Sequence, residues 1–264
     1  MRLAVITDEI DPDLEHAARV ADRLGIRALE LRTVGDANVA DLPSSARARV
    51  REILAAGGFE CCGIASAFLK CDPDHDDGDV LERALEAAQE LGAPHVRCFS
   101  WWRLPYPGTA QPYLLSVLRR AAERAREAGV RLLLENEHDC NVATGAEAAW
   151  YLQRVPSDFF GLIWDPGNHA MLDSSPFPAG YAAVRERVAH VHVKDLRPDR
   201  GWTVAGDGVC DWPGQLGALA ADGYAGALSV ETHHQAETGG GEAATMRAVA
   251  ALQQLCAEAG ISLR

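Results

Sequence analysis

Short apolar runs alternate with amphipathic stretches along the whole chain, and this alternation predicts its secondary structure. Eight runs rich in Val, Ile, Leu or Ala are bounded by turn-forming residues, which is typical of β-strands. The stretches between them repeat apolar residues every three or four positions among Glu, Arg and Ala, which is typical of helices with one buried face. The predicted strands cover 3–6, 28–32, 60–66, 95–99, 131–135, 160–165, 190–194 and 227–231.

The predicted helices cover 13–24, 45–56, 78–91, 111–128, 144–154, 179–187, 213–221 and 242–259. Eight strand–helix units in 264 residues give about 33 residues per unit, close to the repeat of a (β/α)₈ barrel. An open doubly wound sheet would normally carry a glycine-rich phosphate loop after its first strand, but the chain reads ITDEID there. We therefore expect an α/β fold, a single (β/α)₈ TIM barrel that occupies residues 1–264.

The composition of the chain limits the molecules that it can bind and indicates its cellular compartment. The formal charge of −13 disfavours a nucleic-acid partner, because binding to phosphate backbones needs clustered Lys and Arg. No apolar run approaches the roughly 18 residues of a membrane span, and no signal-peptide core opens the chain. The seven cysteines form no CxxC motif, which fits reduced thiols. We expect a cytoplasmic protein that binds a small carbohydrate, has no membrane partner and is free to form a homo-oligomer.

Four acidic or imidazole residues each stand at the end of a different predicted strand: Glu135, Asp165, His192 and Glu231. The carboxyl ends of the strands of a parallel barrel converge on one face, so these side chains can meet. A carboxylate that faces a barrel interior is costly unless it is paired or bound to a metal. Two Glu, one Asp and one His form an oxygen and nitrogen ligand set for one divalent ion. We predict Mn²⁺ first, with Co²⁺, Mg²⁺ or Zn²⁺ as alternatives.

The motifs around these residues resemble those of the xylose isomerase-like TIM barrels, which include sugar epimerases, isomerases, inosose dehydratase and endonuclease IV. LLLEN, WDPGNH, HVHVKD and GYAGALSVE occur in the order and spacing of that superfamily. The resemblance implies that Glu135, Asp165, His192 and Glu231 bind the metal, and that the two glutamates also act as acid and base. It further implies that His169 faces the substrate.

Other residues near the strand ends are candidates for substrate binding. Lys194 shares the face of His192 by the alternation of a strand, so it either reaches a substrate oxygen or pairs with a ligand carboxylate. His233 repeats the direction of Glu231, so it either contacts substrate or metal or lies in a surface loop. Glu30 and Arg97 either bind substrate oxygens or form a structural ion pair in the barrel mouth. Trp101, beyond the fourth strand, either forms an aromatic wall over a sugar ring or packs beneath a loop.

These features predict a divalent-metal-dependent isomerase or epimerase that acts on a ketose, keto-sugar or related polyol. Removal of a proton next to a carbonyl would leave an enediolate that the metal stabilises, and a carboxylate would return the proton. The same ligands fit a lyase or dehydratase that acts by β-elimination on a keto-sugar or keto-inositol, and the sequence does not separate the two. A non-catalytic sugar-binding barrel is a further alternative. Repair of DNA is disfavoured, because the earlier strands lack the additional histidine ligands of endonuclease IV.

Overall fold

Eight parallel strands form a closed barrel in the computed structural model, which describes residues 1–75, 77–156, 158–172, 175–233 and 240–264. The barrel strands are named β1 to β8 in chain order, and each pairs with its two neighbours around the ring. The first strand closes the ring by pairing in parallel with β2 and with β8. This closure confirms the predicted (β/α)₈ TIM barrel. The strands span Arg2–Ile6, Ala28–Leu31, Glu60–Ile64, His95–Cys98, Arg131–Glu135, Phe160–Trp164, Val188–Val193 and Ala227–Val230.

Helices cover the outside of the barrel, and several end where a glycine permits a left-handed backbone. Gly92 and Gly129 follow two of the longest helices with φ angles of 71° and 70°, a conformation in which a Cβ atom is costly. The helices are named α1 to α8. They span Leu14–Arg23, Ser44–Gly57, Gly78–Leu91, Gln111–Ala128, Gly145–Leu152, Pro166–Ala170, Trp212–Ala221 and Gly240–Glu258.

The sixth strand–helix unit differs from the prediction. The predicted helix over 179–187 is wrong: the chain forms an irregular turn at Pro176–Gly180 and a single 3₁₀ turn at Arg185–Arg187. The two prolines at 176 and 178 lack amide donors and Gly180 is a weak helix former, which together explain the missing helix. Instead, the short helix α6 follows β6 directly.

The side chains inside the barrel are small early in the strands and polar at the carboxyl ends of the strands. A small cluster is formed by residues at the first or central positions of their strands: Ala4, Ala28, Cys62 and Ala227. Large apolar residues pack instead between the strands and the helices, where they form the main core. The carboxyl ends of the strands carry buried polar residues, so the chemistry of the barrel is concentrated at that end.

The composition predicted no membrane span and reduced cysteines. No helix within the described ranges has the length and apolar character needed to cross a bilayer. The seven cysteines, all of which lie in those ranges, are free thiols, and only Cys71 is not fully buried.

Candidate metal centre and active site

The side chains of Glu135, Asp165, His192 and Glu231 meet at the carboxyl end of the barrel. One ligand atom from each lies within 4.8 Å of the other three. His192 Nδ1 lies 3.1 Å from Glu135 Oε1, 3.4 Å from Glu231 Oε2 and 3.9 Å from Asp165 Oδ2. No more than 3% of any of these residues is exposed. The arrangement therefore offers three carboxylate groups and one imidazole nitrogen to a single cation.

Asp165 is oriented by the helix that follows it. Its Oδ1 caps α6 by accepting the backbone amide of Asn168 at 2.8 Å. The side-chain amide of Asn136 accepts from the Asp165 amide at 2.9 Å and donates to the Asp165 carbonyl at 2.7 Å. The remaining Oδ2 is buried and has no partner of good hydrogen-bond geometry in the described ranges, although Lys194 Nζ lies 2.9 Å away. Such an atom is costly unless it is bound, so it fits a metal ligand.

Arg97 holds Glu135 in place. Its Nη1 donates to Glu135 Oε2 at 3.1 Å, and its other nitrogens donate to the carbonyls of Ser66 and Ala65. Asn168 donates its side-chain amide to Glu135 Oε1 at 3.3 Å. Arg97 is buried. The contacts of Arg97 therefore correspond to the ion-pair alternative rather than to substrate binding.

Lys194 lies between two of the four candidate ligands. Its Nζ is 2.7 Å from Glu231 Oε2 and 2.9 Å from Asp165 Oδ2. The second oxygen of Glu231 accepts from Arg32 Nη1 at 3.3 Å. Gly167 provides the space, because a Cβ atom there would lie 2.9 Å from Lys194 Cγ. The glycine of the DPGNH motif thus lets the lysine reach the centre.

Burial and neighbouring charges set the pKa values of the centre. Burial raises the pKa of Asp165 to about 6, against the opposing effect of Lys194. Burial also acts to raise the pKa values of Glu135 and Glu231. The charge of His192 lowers the pKa of Glu135, and the charge of Lys194 lowers the pKa of Glu231. The net pKa shift of both glutamates is downward. Burial acts to lower the pKa of Lys194, yet the carboxylates raise it above its usual value. Both glutamates therefore remain ionised at neutral pH, as metal ligands must.

The charge of the centre also fits a divalent ion. Four buried carboxylates outnumber the three permanent cations at the centre, which leaves negative charge when the histidines are neutral. Uncompensated buried charge is unfavourable, and a divalent cation would offset it. The carboxylates are Glu30, Glu135, Asp165 and Glu231, and the cations are Arg32, Arg97 and Lys194.

Glu30 lies behind His192 instead of facing the barrel mouth. Its Oε1 is 3.1 Å from His192 Nε2, and its Oε2 is 2.9 Å from His190 Nε2. The ring of His95 packs against that of His190 with centroids 4.8 Å apart. Because the strands of a barrel are staggered, the end of β2 lies at the depth of His190. Both carboxylate oxygens of Glu30 have histidine partners, which corresponds to the structural alternative rather than to substrate binding.

Trp202 forms part of the mouth, and the sequence analysis missed it. It belongs to a two-stranded antiparallel ribbon formed by 195–196 and 202–203, just after β7. Lys194 Nζ lies 4.9 Å from the centre of the indole ring. His138 and His233 contact the same ring with centroids 5.8 and 5.7 Å away. The only sequence signal was an aromatic residue in a loop close to the HVHVKD motif, and such a loop has no periodicity that would give its direction.

His233, which was predicted to contact substrate or metal, lies beside the centre. Its Nε2 is 3.7 Å from Glu231 Oε1, and its Nδ1 is 3.1 Å from Glu9 Oε1. His138 was also missed; its Nδ1 lies 3.0 Å from Asn168 Oδ1. Together with Trp202, the two histidines give the mouth polar groups on both sides of an aromatic ring.

Trp101 and His169 are the two remaining residues that were predicted to contact substrate. Trp101 is buried and lines a cavity of about 340 Å³ that also contacts α3 and α4. Its left-handed backbone, with a φ of 59°, reverses the direction expected from strand alternation and turns the ring into the helix layer. The burial of Trp101 corresponds to the packing alternative rather than to an aromatic wall. His169 accepts the Gly145 amide on its Nδ1 at 3.2 Å and packs edge-on against Trp164. Its contact with substrate stays a prediction.

Comparison with known proteins supports the resemblance. The chain is 26% identical over 174 residues to inosose dehydratase of Lacticaseibacillus casei, an alignment that covers 59% of this chain and 55% of that protein. It is 32% identical over 197 residues to the rhizopine catabolism protein MocC of Rhizobium meliloti, covering 59% and 60% of the two chains. The chain thus spans between half and two thirds of the length of these curated relatives.

Solved structures show the same fold. The IOLI protein with a bound zinc atom superposes with a TM-score of 0.80 at 17% identity and covers 98% of this chain and 99% of its own. L-ribulose 3-epimerase superposes with a TM-score of 0.77 at 19% identity, covering 98% and 95%. The family model of the xylose isomerase-like TIM barrel matches residues 18–255, which is most of the sequence. The chain belongs to the xylose isomerase-like TIM barrel family.

Proposed function

We propose that this chain is a divalent-metal-dependent isomerase or epimerase of a ketose, keto-sugar or related polyol. The observation that supports this proposal most directly is the position of two ionised glutamates around His192 Nδ1, the nitrogen proposed to bind the metal. Glu135 and Glu231 come from strands on opposite sides of β7, and their oxygens lie 3.1 and 3.4 Å from His192 Nδ1. Two carboxylates placed in this way can exchange protons with different carbons, or different faces, of one bound substrate.

The residues of the centre have different roles in proton transfer, orientation and metal binding. Glu231 Oε2 takes the proton from the carbon next to the carbonyl and becomes protonated. The same carboxyl group then returns the proton to the neighbouring carbon. Alternatively Glu135 Oε1, after taking a proton from water, delivers it to the other face while Glu231 releases its proton to water. Arg97 and Lys194 keep the two carboxylates oriented through the contacts at 3.1 and 2.7 Å. A divalent ion held by Glu135, Asp165, His192 and Glu231 supplies Lewis-acid stabilisation of the negative charge that develops on the substrate oxygen.

The barrel mouth supplies the contacts for a polyol. We assign Lys194 and His233 to substrate oxygens, as the sequence suggested, and add Trp202 and His138. An aromatic ring flanked by two imidazoles combines an apolar surface with hydrogen-bonding groups, which is the usual composition of a site for a small polar ligand. Mn²⁺ is our first choice of metal, and the zinc atom in the IOLI protein supports a divalent ion in this fold.

A second candidate is a lyase that removes water from a keto-sugar or keto-inositol. Elimination needs a base for the proton and an acid for the leaving hydroxyl. The buried ammonium of Lys194, 2.7 Å from Glu231, is a proton donor beside a base. The similarity to inosose dehydratase points in the same direction. Both candidates share the first step, the removal of a carbon-bound proton.

The test is conversion of ketoses and keto-inositols in D₂O by protein loaded with Mn²⁺, Co²⁺, Mg²⁺ or Zn²⁺, followed by NMR and mass spectrometry. An isomerase or epimerase yields a product of unchanged composition that carries solvent deuterium at the reacting carbon. A dehydratase yields a product that has lost one water. Substrate deuterated at that carbon provides the decisive control.

Three results would contradict the proposal. Conversion with the deuterium label wholly retained at the reacting carbon would show that its bond to hydrogen never breaks. Equal conversion by protein treated with a chelator would exclude the role given to the metal. A protein that binds the compounds tightly but converts none, with binding unchanged in Glu231→Gln, would instead be a non-catalytic barrel.

A further inference from the structure

We infer that Glu30 is a positioning residue that determines which nitrogen of His192 faces the metal. This inference rests on the metal centre proposed above. Glu30 is fully buried and lies on the side of His192 away from Glu135, Asp165 and Glu231. Its Oε1 is 3.1 Å from His192 Nε2, while His192 Nδ1 faces the three carboxylates. The imidazole thus spans the space between a supporting carboxylate and the metal position.

The hydrogen bond to Glu30 keeps a hydrogen on Nε2 when Nδ1 binds a metal. An ionised carboxylate can only accept a hydrogen bond, so both Glu30 and Glu135 require a hydrogen on the nitrogen 3.1 Å away, and a metal would displace only the one on Nδ1. With hydrogen on Nε2, the lone pair of the neutral ring lies on Nδ1. A carboxylate behind a ligating histidine also makes that ligand more basic and limits its rotation.

Glu30 is itself held by a second histidine. Its Oε2 lies 2.9 Å from His190 Nε2, so the carboxylate is fixed at both oxygens. The ring of His95 packs on His190, and Gly63 gives it room, since a Cβ atom there would lie 2.3 Å from His95 Nε2. The support therefore reaches from β2 and β7 to β4, one layer beneath the metal centre.

The same three residues also have the composition of a metal site. Ligand atoms of Glu30, His95 and His190 lie within 4.8 Å of one another. Charge argues against a second cation, because one divalent ion already offsets the excess negative charge around His192. We therefore assign the group to support of His192, and the number of metal ions bound per chain distinguishes the two roles.

The experiment measures Co²⁺ affinity, stoichiometry and visible absorption in metal-depleted protein and its variants. Glu30→Leu removes the acceptor at nearly constant volume, and we expect Co²⁺ to bind about 10- to 100-fold more weakly, the usual effect of losing such a partner. The absorption bands at saturation should shift, because the imidazole is no longer held. Glu30→Gln keeps an acceptor for His192 and should show an intermediate loss, and it carries the test if Glu30→Leu does not fold.

Glu137→Gln is the matched control for charge. Glu137 is buried near the centre, and Lys70 and His138 are its partners rather than His192. The Glu137→Gln substitution removes one negative charge from the same region. We expect a small change in Co²⁺ affinity and no shift of the absorption bands. Equal loss of affinity in Glu137→Gln and Glu30→Leu would show that charge alone acts and would overturn the inference.

The remaining outcomes separate this inference from the proposed function. If wild-type protein binds no Co²⁺, the proposed metal centre itself fails. If it binds one ion, and both Glu30 variants bind with unchanged affinity and spectrum, only the role of Glu30 fails. If it binds two ions and His95→Leu binds one, the lower group is a metal site and the positioning role is overturned.

Discussion

Individual side chains of the candidate centre are each held by a partner that orients them. Asn136 and the N-terminus of α6 orient Asp165, Arg97 orients Glu135, and Lys194 contacts Glu231. Such supporting contacts limit rotation before metal or substrate binds, which lowers the cost of assembling the reactive geometry. The consequences of single substitutions should therefore depend on whether they remove a reacting group or its support.

The two glutamates should be distinguishable from the scaffold by kinetics. Glu135→Gln and Glu231→Gln are nearly isosteric, and each should reduce kcat about 100-fold or more, the scale for loss of a general acid or base. Circular dichroism should show an unchanged fold. Glu52→Gln, an exposed change on α2, is the control and should retain full activity. Near-normal turnover by both active-site variants would contradict their assigned roles.

Gly167 should tolerate no side chain. A Cβ atom there would lie 2.9 Å from Lys194 Cγ and 3.3 Å from both Asp165 Oδ1 and Trp202 Cζ3. We expect Gly167→Ala to displace the lysine and to weaken Mn²⁺ binding, as measured by titration calorimetry. Gly217→Ala is the matched control: no atom lies within 4 Å of its added Cβ. Gly217 is an exposed position of helix α7, so the substitution should raise the free energy of unfolding by up to about 1 kcal/mol. Unchanged Mn²⁺ affinity in Gly167→Ala would refute the steric argument.

At the scale of elements, one carboxylate organises the loop that follows β7. Asp195 accepts the backbone amides of Leu196, Gly206, Gly208 and Cys210 at 2.8 to 3.2 Å. The loop thereby folds back on its own start and carries Trp202 to the barrel mouth. Four amides gathered on one buried carboxylate replace the regular hydrogen bonds that a loop lacks.

Asp195→Asn tests this organisation. An amide has only one accepting oxygen, so some of the four donors lose their partner, and we expect a loss of about 1–3 kcal/mol in the free energy of unfolding. Hydrogen–deuterium exchange should accelerate over 196–210 and remain unchanged in the barrel strands. Exchange that is unchanged in this loop, or equally faster everywhere, would show that the carboxylate has no specific role there.

At the scale of the whole molecule, a metal at the centre would join four strands. Its ligands come from β5, β6, β7 and β8, so unfolding any of these strands would release the ion. Binding to the folded state alone adds about 2.7 kcal/mol to stability at a free ion concentration of 100 times Kd. The midpoint of thermal unfolding should therefore rise when Mn²⁺ is added and fall when a chelator removes it. His192→Ala should abolish the rise, and an equal rise in that variant would place the bound ion elsewhere.

Much of the architecture was predictable because it follows from local pattern. Each barrel strand is an apolar run near its predicted position, and the glycines at 92 and 129 stand where helices end. The four candidate ligands could be found because each stands at the end of a strand, and a closed barrel brings those ends together. The prediction of a helix over 179–187 was wrong because the apolar pattern of this stretch was given more weight than the prolines at 176 and 178 and the glycine at 180.

The sequence by itself determined the barrel, the polar end of that barrel and the identity of the residues that could hold a metal. Only the tertiary structure decided the depth and direction of the side chains around them. Glu30 lies beneath His192 because barrel strands are staggered, and Trp101 turns outward because its backbone is left-handed. Trp202 reaches the mouth because distant amides converge on Asp195. Strand ends are set by local periodicity, whereas stagger, backbone handedness in a loop and long-range hydrogen bonds arise only when the whole chain packs.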